Sequence, residues 1–237
     1  MSFPTKNILI VTTEEELKFK LNFHLTSLGY KTRCVNNGES AIEILNTEFP
    51  NLVILDIILP KQDGFELCRK IRAAYQVPII LLSPFSSTSD RIIGFEVGAD
   101  DYLTKPFSAK ELEIRIGNIL KRLAGTKGNS FTNSKPKISF GSFVIDFETK
   151  SICTTSNANI KLTTLEFNIL ELLLMNVDSV ISRSDILNNV WGYTPERAVD
   201  LRVVDVYISR LRNKLGENSR NPTFILTVRG GGYMFKK

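Results

Sequence analysis

The feature that most restricts the fold of this chain is a short and almost wholly apolar stretch, Leu-Val-Ile-Leu-Asp-Ile-Ile-Leu-Pro, at residues 52–60. A run this short and this rich in Val, Ile and Leu predicts a strand that is buried on both faces, as in a parallel sheet covered by helices. Its one charged side chain, Asp56, then lies at the carboxyl edge of the sheet. Open α/β folds bind their ligands at that edge, so Asp56 is the first candidate functional residue.

The segments around this strand alternate between strand and helix patterns. Strands are predicted at residues 7–11, 31–35, 52–56, 77–82 and 101–104, and helices at residues 15–28, around 41–45, and at 65–74, 90–97 and 108–122. Five strands alternating with five helices predict a doubly wound α/β domain of the flavodoxin-like type. The strand ends then bring together a set of polar side chains: Thr12, Thr13, Asp56, Ser83 and Lys105.

Two motifs in the first half resemble one family of signalling domains. Asp56 is followed by Pro60 and by Asp63-Gly64, and residues 98–107 read Gly-Ala-Asp-Asp-Tyr-Leu-Thr-Lys-Pro-Phe. Residues 1–122 are on this basis similar to the receiver domain of two-component response regulators. The resemblance implies that Asp56 accepts a phosphoryl group from a sensor histidine kinase and that Lys105 neutralises its charge. It also implies that Ser83 is the switch hydroxyl and that Tyr102 follows it.

The same resemblance implies a Mg²⁺ site, and the chain departs from it. Asp56 and Ile58 match expected ligands, but Thr12 and Thr13 replace the usual acidic pair, so any Mg²⁺ site is expected to be weak. The adjacent Glu14 need not point inward, because side chains alternate along a strand. Pro84 follows Ser83 and has no N–H to donate to a phosphoryl group. Two alternatives stay open: a receiver phosphorylated on Asp56, and an atypical receiver that is regulated without phosphorylation.

Charged residues near the end of the first half resemble the dimer face of the OmpR/PhoB branch. The resemblance implies reciprocal ion pairs across a two-fold homodimer, namely Arg91 with Glu111, Asp101 with Arg115, and Asp100 with Arg122. The competing interpretation is a solvated charged face, since exposed pairs are individually weak.

Charge separates the two halves of the chain. Residues 1–122 hold 15 Lys/Arg and 15 Asp/Glu, whereas residues 123–237 hold 15 and 10, so the second half carries the whole net charge of +5. Residues 123–137 are rich in Gly, Ser and Asn and predict a flexible linker. A basic domain at residues 138–237 favours a polyanionic partner or is simply an ordinary basic domain.

The predicted helix at residues 200–215 presents two contrasting faces. Its apolar stripe consists of Leu201, Val204, Ile208, Leu211 and Leu215, and the opposite face carries Arg202, Val206, Ser209, Arg210 and Asn213. With the later Arg-Gly-Gly-Gly-Tyr at residues 229–233, this half resembles the α+β winged-helix DNA-binding domain of OmpR/PhoB regulators. The resemblance implies contacts with double-stranded DNA by Arg202, Tyr207, Ser209, Arg210, Arg212, Thr227, Arg229 and Trp191. It also implies that the loop at residues 191–197 can meet RNA polymerase.

Other function classes find less support. The three scattered cysteines do not have metal-ligand spacing, and no apolar run is long enough to span a membrane. A phosphatase using Asp56 as its nucleophile lacks a second carboxylate at short spacing, so the chain is not expected to be an enzyme. A single histidine without a nucleotide-binding motif makes it a recipient of phosphate rather than a kinase. The motifs are nearest to regulators of cyanobacteria and algal plastids, which indicates a bacterial cytoplasm or a chloroplast stroma.

Overall fold

The computed structural model describes residues 6–60, 62–123, 137–140, 143–154, 159–192, 200–218 and 220–236; the side chains of residues 122, 123 and 154 are outside this description. Contacts divide the chain into two compact units, Met1–Lys121 and Arg122–Lys237. The predicted linker at residues 123–137 lies almost wholly outside the described residues. Each unit is treated by itself below.

The first unit alternates strands and helices as the sequence predicts. Its elements are β1 (Asn7–Val11), α1 (Glu15–Ser27), β2 (Lys31–Val35), α2 (Gly38–Thr47), β3 (Leu52–Asp56), β4 (Ile58–Leu59), β5 (Gln62–Asp63), α3 (Gly64–Ala74), β6 (Ile79–Ser83), α4 (Thr88–Glu96), β7 (Asp101–Thr104) and α5 (Ala109–Leu123). Five strands form one parallel sheet in the order β2-β1-β3-β6-β7. The predicted doubly wound α/β fold is confirmed.

The two central strands β3 and β6 of this sheet are fully buried, as the apolar sequence predicts for β3. Every residue of β3 and β6 is buried, and Leu55 pairs in register with Val11 on one side and with Leu81 on the other. Burying a Leu or Ile side chain stabilises a fold by about 1.5–3 kcal/mol, so these strands fix the sheet and hold their carboxyl ends together. Asp56 and Ser83, the last residues of β3 and β6, are therefore brought to one edge.

A small hairpin, β4 with β5, follows the central strand and was not predicted. Its strands have only two residues each, which is too short for a periodic pattern to show. The next residue, Gly64, begins α3, and a Cβ there would lie 2.4 Å from the Cα of Ile57. The hairpin and Gly64 thus bring α3 directly against the end of β3.

The second unit joins small antiparallel sheets to three helices. Its elements are β8 (Lys137–Phe140), β9 (Phe143–Asp146), β10 (Ser151–Thr154), β11 (Asn159–Lys161), α6 (Thr164–Met175), α7 (Arg183–Trp191), α8 (Arg202–Leu215), β12 (Ile225–Val228) and β13 (Gly232–Phe235). The order in the four-stranded sheet is β11-β10-β9-β8, and β12 pairs with β13 in a hairpin. We call this hairpin, with the turn at residues 229–231, the wing. A capping box of Thr163 and Glu166 is present at the start of α6.

The apolar stripe of α8 is buried except at its first member. Val204, Ile208 and Leu211 have no exposed surface, and Leu215 is 8% exposed, whereas Leu201 is 41% exposed. Leu201 differs because α8 begins one residue later, so this side chain precedes the first turn. The stripe packs α8 into the domain and leaves its other face outward. In the parts of the chain described here, no helix combines the length and hydrophobicity that crossing a membrane requires.

Candidate functional site

Asp56 lies at the bottom of a polar pocket at the carboxyl edge of the parallel sheet. Its side chain is only 1% exposed. The Thr12 hydroxyl donates to Oδ2 at 2.8 Å, and the Lys105 ammonium donates to the same oxygen at 2.6 Å. The backbone N–H of Ile58 donates to Oδ1 at 3.2 Å. The structure thus brings together Thr12, Asp56 and Lys105, which the strand order predicted to be neighbours.

Glu14 is a further member of this pocket that the sequence reasoning set aside. Its Oε1 accepts a hydrogen bond from the Lys105 ammonium at 2.8 Å. The alternation rule does not apply here, because β1 ends at Val11 and Glu14 is the N-cap residue of α1. Its position as the residue that turns from strand into helix is the signal that could have found it.

Ser83 and Tyr102 form a second polar contact at the same edge. The Tyr102 hydroxyl lies 2.6 Å from Ser83 Oγ and 2.9 Å from the carbonyl oxygen of Phe85, and the N–H of Phe85 donates to Ser83 Oγ at 3.0 Å. Burial raises the pKa of the Tyr102 hydroxyl above its ordinary value. Gly94 makes room for this ring, since a Cβ at that position would lie 2.6 Å from Tyr102 Cδ2. The Ser83 hydroxyl is therefore engaged with Tyr102 and with Phe85 of its own loop.

The side chains of the Asp56 pocket do not fit a Mg²⁺ site. Mg²⁺ prefers several hard oxygen ligands at octahedral spacing, usually carboxylates and waters. Thr12 offers a neutral hydroxyl whose hydrogen is directed at Asp56, and Lys105 already occupies Oδ2. Among the described residues, no three His, Cys, Asp or Glu side chains come together as a possible metal site. Of the expected ligands, Asp56 and the backbone of Ile58 are present, and the acidic pair is missing.

The charges predicted to pair across a dimer are largely paired within one chain. Arg115 donates to both carboxylate oxygens of Asp101, at 2.9 and 3.0 Å, and to Glu111 at 2.8 Å. Asp100 is buried and accepts hydrogen bonds from Arg72 and from the N–H of Ile79. The remaining two members are Arg91, which lies on α4, and Arg122, whose side chain is outside the described part of the chain. The intermolecular pairing stays a prediction.

Five of the eight predicted DNA-contacting residues lie at the surface of the second unit. Arg202 and Ser209 on α8 are exposed, and Arg210 is partly exposed. Thr227 on β12 and Arg229 in the wing turn are also exposed. We call these five residues the α8–wing surface. An Arg-rich helix face beside a basic turn is suited to the major groove and the phosphate backbone of a duplex.

The other three lie inside the unit, and their expected contacts with DNA stay a prediction. Tyr207 has no exposed surface and Trp191 has 1%, and their rings pack edge to face at 5.1 Å. Arg212 is 7% exposed because its guanidinium donates to the carbonyl of Ile225 and to Thr227 Oγ1. These side chains support the α8–wing surface from inside the unit. In particular, the Arg210 guanidinium lies over the Tyr207 ring at 5.0 Å.

A polar cluster that was not predicted joins the wing to α7 and α8. Tyr233 donates its hydroxyl to Asp205 at 2.6 Å, and Arg183 donates to the same oxygen at 2.7 Å. The Arg183 guanidinium also lies 4.9 Å from the centre of the Tyr233 ring. We call these three residues the wing clamp. Burial and the hydrogen bond to Asp205 raise the pKa of Tyr233 to about 12. Of the loop expected to meet RNA polymerase, residues 193–197 lie outside the described part.

Comparisons with known proteins agree on both halves of the chain. Residues 8–117 match the family of the response regulator receiver domain, and residues 157–235 match that of transcriptional regulatory proteins, C terminal. The "Probable transcriptional regulator ycf27" of Porphyra purpurea is 45% identical over 98% of this chain and 95% of its own.

Solved structures of similar proteins extend over the whole chain as well. The response regulator DrrB of Thermotoga maritima, an OmpR/PhoB homologue, is 31% identical, with a TM-score of 0.51 over 99% of this chain and 100% of its own. A RitR mutant is 25% identical, with a TM-score of 0.76 over 98% of this chain and 99% of its own. The chain therefore belongs to the OmpR/PhoB family of two-component response regulators, DNA-binding transcription regulators in which a receiver domain precedes a winged-helix domain.

Proposed function

We propose that this regulator recognises a specific double-stranded DNA sequence through the α8–wing surface. The observation that carries the proposal is the division of α8, whose Val204, Ile208 and Leu211 are buried while Arg202 and Ser209 face outward. A helix anchored in this way presents its polar face at a fixed angle. In this arrangement Arg210 reads base edges and Arg229 contacts the backbone or minor groove.

The input to this regulator is a phosphoryl group on Asp56. A carboxylate oxygen of Asp56 attacks the phosphorus of the phosphohistidine of a sensor kinase, the P–N bond breaks, and the histidine leaves. The ammonium of Lys105, 2.6 Å from Asp56 Oδ2, neutralises the charge that arrives. Ser83 and Tyr102 respond by rearranging their hydrogen bond, which links the pocket to α4 through Gly94.

A second candidate is an atypical receiver that is regulated without phosphorylation. Two features of the pocket favour it: Thr12 stands where an acid is usual and donates to Asp56, and Pro84 removes a backbone donor. In that case a partner protein or another ligand changes the conformation of the surface that α4, β7 and α5 form, which we call the α4–β7–α5 face.

Three further assignments complete the proposal. The charged α4–β7–α5 face forms a homodimer. In it, Arg91 of one chain pairs with Glu111 of the other, and Asp101 pairs in the same way with Arg115. RNA polymerase is a partner of the loop at residues 191–197. The likeness to the regulators of algal plastids supports the chloroplast stroma as the location, with the bacterial cytoplasm as the alternative.

The DNA-binding proposal is tested by replacing Arg210 in the full chain. A binding site is first selected from random duplexes, and the affinities of wild type and Arg210→Ala are then compared on that site and on all its single-base variants. We expect a loss of about 1–3 kcal/mol on the selected site and relaxed preference at one position, because one bidentate base contact disappears.

The control is Arg69→Ala, which removes the same kind of charge from an exposed position on α3 of the receiver. Its affinity and preference should match those of the wild type. Unchanged affinity and preference in Arg210→Ala would show that α8 does not read bases through this residue.

A further inference from the structure

We propose that the Asp56 pocket is a metal-free site in which the ammonium of Lys105, shared between Asp56 and Glu14, takes the place of a divalent cation. This inference rests on the proposed function only in taking Asp56 as the centre of the receiver's input site. It concerns how the negative charge of that site is balanced, and it assigns Glu14 a role in holding the internal cation.

The position of the Lys105 ammonium supports this assignment. Its Nζ lies 2.6 Å from Asp56 Oδ2 and 2.8 Å from Glu14 Oε1, so one cation bridges two carboxylates. Asp56 is 1% exposed at its side chain and Lys105 is 15% exposed, whereas Glu14 is 55% exposed. The ammonium therefore lies between a buried carboxylate and one at the pocket mouth.

The remaining donors complete this arrangement without a metal ion. The Thr12 hydroxyl donates to the oxygen of Asp56 that also binds Lys105, and the N–H of Ile58 donates to the other oxygen. The Thr12 oxygen in turn accepts the N–H of Glu14 at 3.3 Å. Both oxygens of Asp56 thus have hydrogen-bond donors from the protein itself, which a buried carboxylate requires.

The sequence changes are consistent with each other in this interpretation. Replacing an acidic pair by Thr12 and Thr13 removes two negative charges from the pocket, and these are the charges that attract a divalent cation. A Thr at position 12 also stabilises the Asp56 carboxylate, because its hydroxyl can donate a hydrogen bond to Asp56 and an ionised carboxylate cannot. A pocket that balances Asp56 with Lys105 has no need of a second cation.

Removal of the internal cation should convert the pocket into a magnesium site. In Lys105→Gln, Asp56 and Glu14 lose the charge between them, and their two carboxylates face the same vacated position. We expect isothermal titration of the full-length variant with MgCl₂ to show saturable binding that is at least about tenfold tighter than in the wild type. The wild type should give no saturable heat over the same range.

The double variant Lys105→Gln/Glu14→Gln is the matched control for the second carboxylate. It should bind Mg²⁺ at least about tenfold more weakly than Lys105→Gln does, because only Asp56 remains to bind the ion. Thr13→Asp, at a partly exposed position, provides an independent variant that restores a carboxylate and keeps Lys105. It too should bind MgCl₂ more tightly than the wild type, and its far-ultraviolet circular dichroism checks that it folds.

Two results would overturn the inference. Saturable MgCl₂ binding by the wild type, within about tenfold of the variants, would show that the pocket accepts a divalent cation as it is. Absence of binding in both Lys105→Gln and Thr13→Asp would show that the carboxylates are not arranged around a cation position. Neither result depends on phosphorylation or on DNA binding, so a failure of the proposed function would be recognised separately.

Discussion

At the scale of single residues, the chemistry of the first unit depends on which atoms surround Asp56. The carboxylate is buried, yet it accepts hydrogen bonds from Thr12, Ile58 and Lys105. Among the described residues, Oδ1 accepts only the N–H of Ile58, so this oxygen keeps a lone pair that can attack phosphorus. Lys105 can act both before and after phosphorylation, because the ammonium that balances the charge of the carboxylate can then balance that of the phosphoryl group.

Asp56 is expected to be the residue that carries the phosphoryl group. Treating the full chain with acetyl phosphate should add the mass of one phosphoryl group, and Asp56→Asn should abolish this adduct because the amide is not a nucleophile. Intact-mass measurement after acid quenching checks both. The control is Asp63→Asn, which alters an exposed carboxylate close by in the chain and should leave the adduct in place.

The opposite result also has a defined meaning. A wild-type chain that acquires no phosphoryl group under these conditions would favour the atypical receiver, in which Thr12 and Pro84 have removed the aids that a phosphoacceptor normally has. An adduct that persists in Asp56→Asn would place the modification on another residue.

At the scale of secondary-structure elements, much of the fold could be predicted from local signals. β1, β2, β3 and β7 begin and end at the predicted residues, and the capping box at Thr163 marks the start of α6. Contacts between elements were harder to predict. Glu14 was set aside because the alternation rule was applied beyond the end of β1, and the packing of the Tyr207 ring on Trp191 was not predicted. Such features depend on what lies opposite, which periodicity along one segment does not contain.

The wing clamp is the clearest example of such a contact. Arg183, Asp205 and Tyr233 come from α7, α8 and β13, so their mutual bonds fix the wing relative to α7 and α8. The carbonyl of Ile181 also accepts the N–H of Tyr233, and Gly232 lies so close that a Cβ there would be 2.0 Å from this oxygen. The wing is therefore held by backbone and side chain together.

Replacing Tyr233 by Phe should destabilise the second unit, because its hydroxyl bond to the Asp205 carboxylate is lost. We expect a loss of about 1–2 kcal/mol, at the lower end for a bond to a charged group because Asp205 is partly exposed. Urea unfolding followed by the fluorescence of Trp191, the single tryptophan of the chain, measures this unit specifically. Tyr102→Phe, which removes a hydroxyl from the receiver, should leave the fluorescence transition unchanged.

The effect of Tyr233→Phe should also depend on pH, with a sign set by the raised pKa. The Tyr233 hydroxyl has its pKa raised from 10.0 to about 12, so the folded state holds this proton more tightly than the unfolded state does. The stabilisation is therefore complete below pH 10 and is lost as the pH rises from 10 towards about 12. The difference between wild type and Tyr233→Phe should be constant at neutral pH and shrink above pH 10; a constant difference would contradict the assignment.

At the scale of the whole molecule, the net charge is distributed unevenly between the two halves of the chain. Residues 1–122 are electrically neutral, and residues 123–237 carry the net charge of +5. Long-range electrostatic attraction to a polyanion is therefore expected from the second half alone. The dependence of DNA affinity on salt should accordingly respond to charges in one unit only.

Arg229, which is exposed in the wing turn, provides the test. If it contacts a phosphate, Arg229→Ala should weaken binding about equally on all sequences and lower the slope of log affinity against log salt by about 1. Lys20→Ala removes one positive charge from an exposed position on α1 and should leave that slope unchanged. Titrations of both variants at several NaCl concentrations separate the two outcomes. An equal change in both slopes would mean that the receiver also meets DNA, whereas a sequence-dependent loss in Arg229→Ala would mean that the wing reads bases.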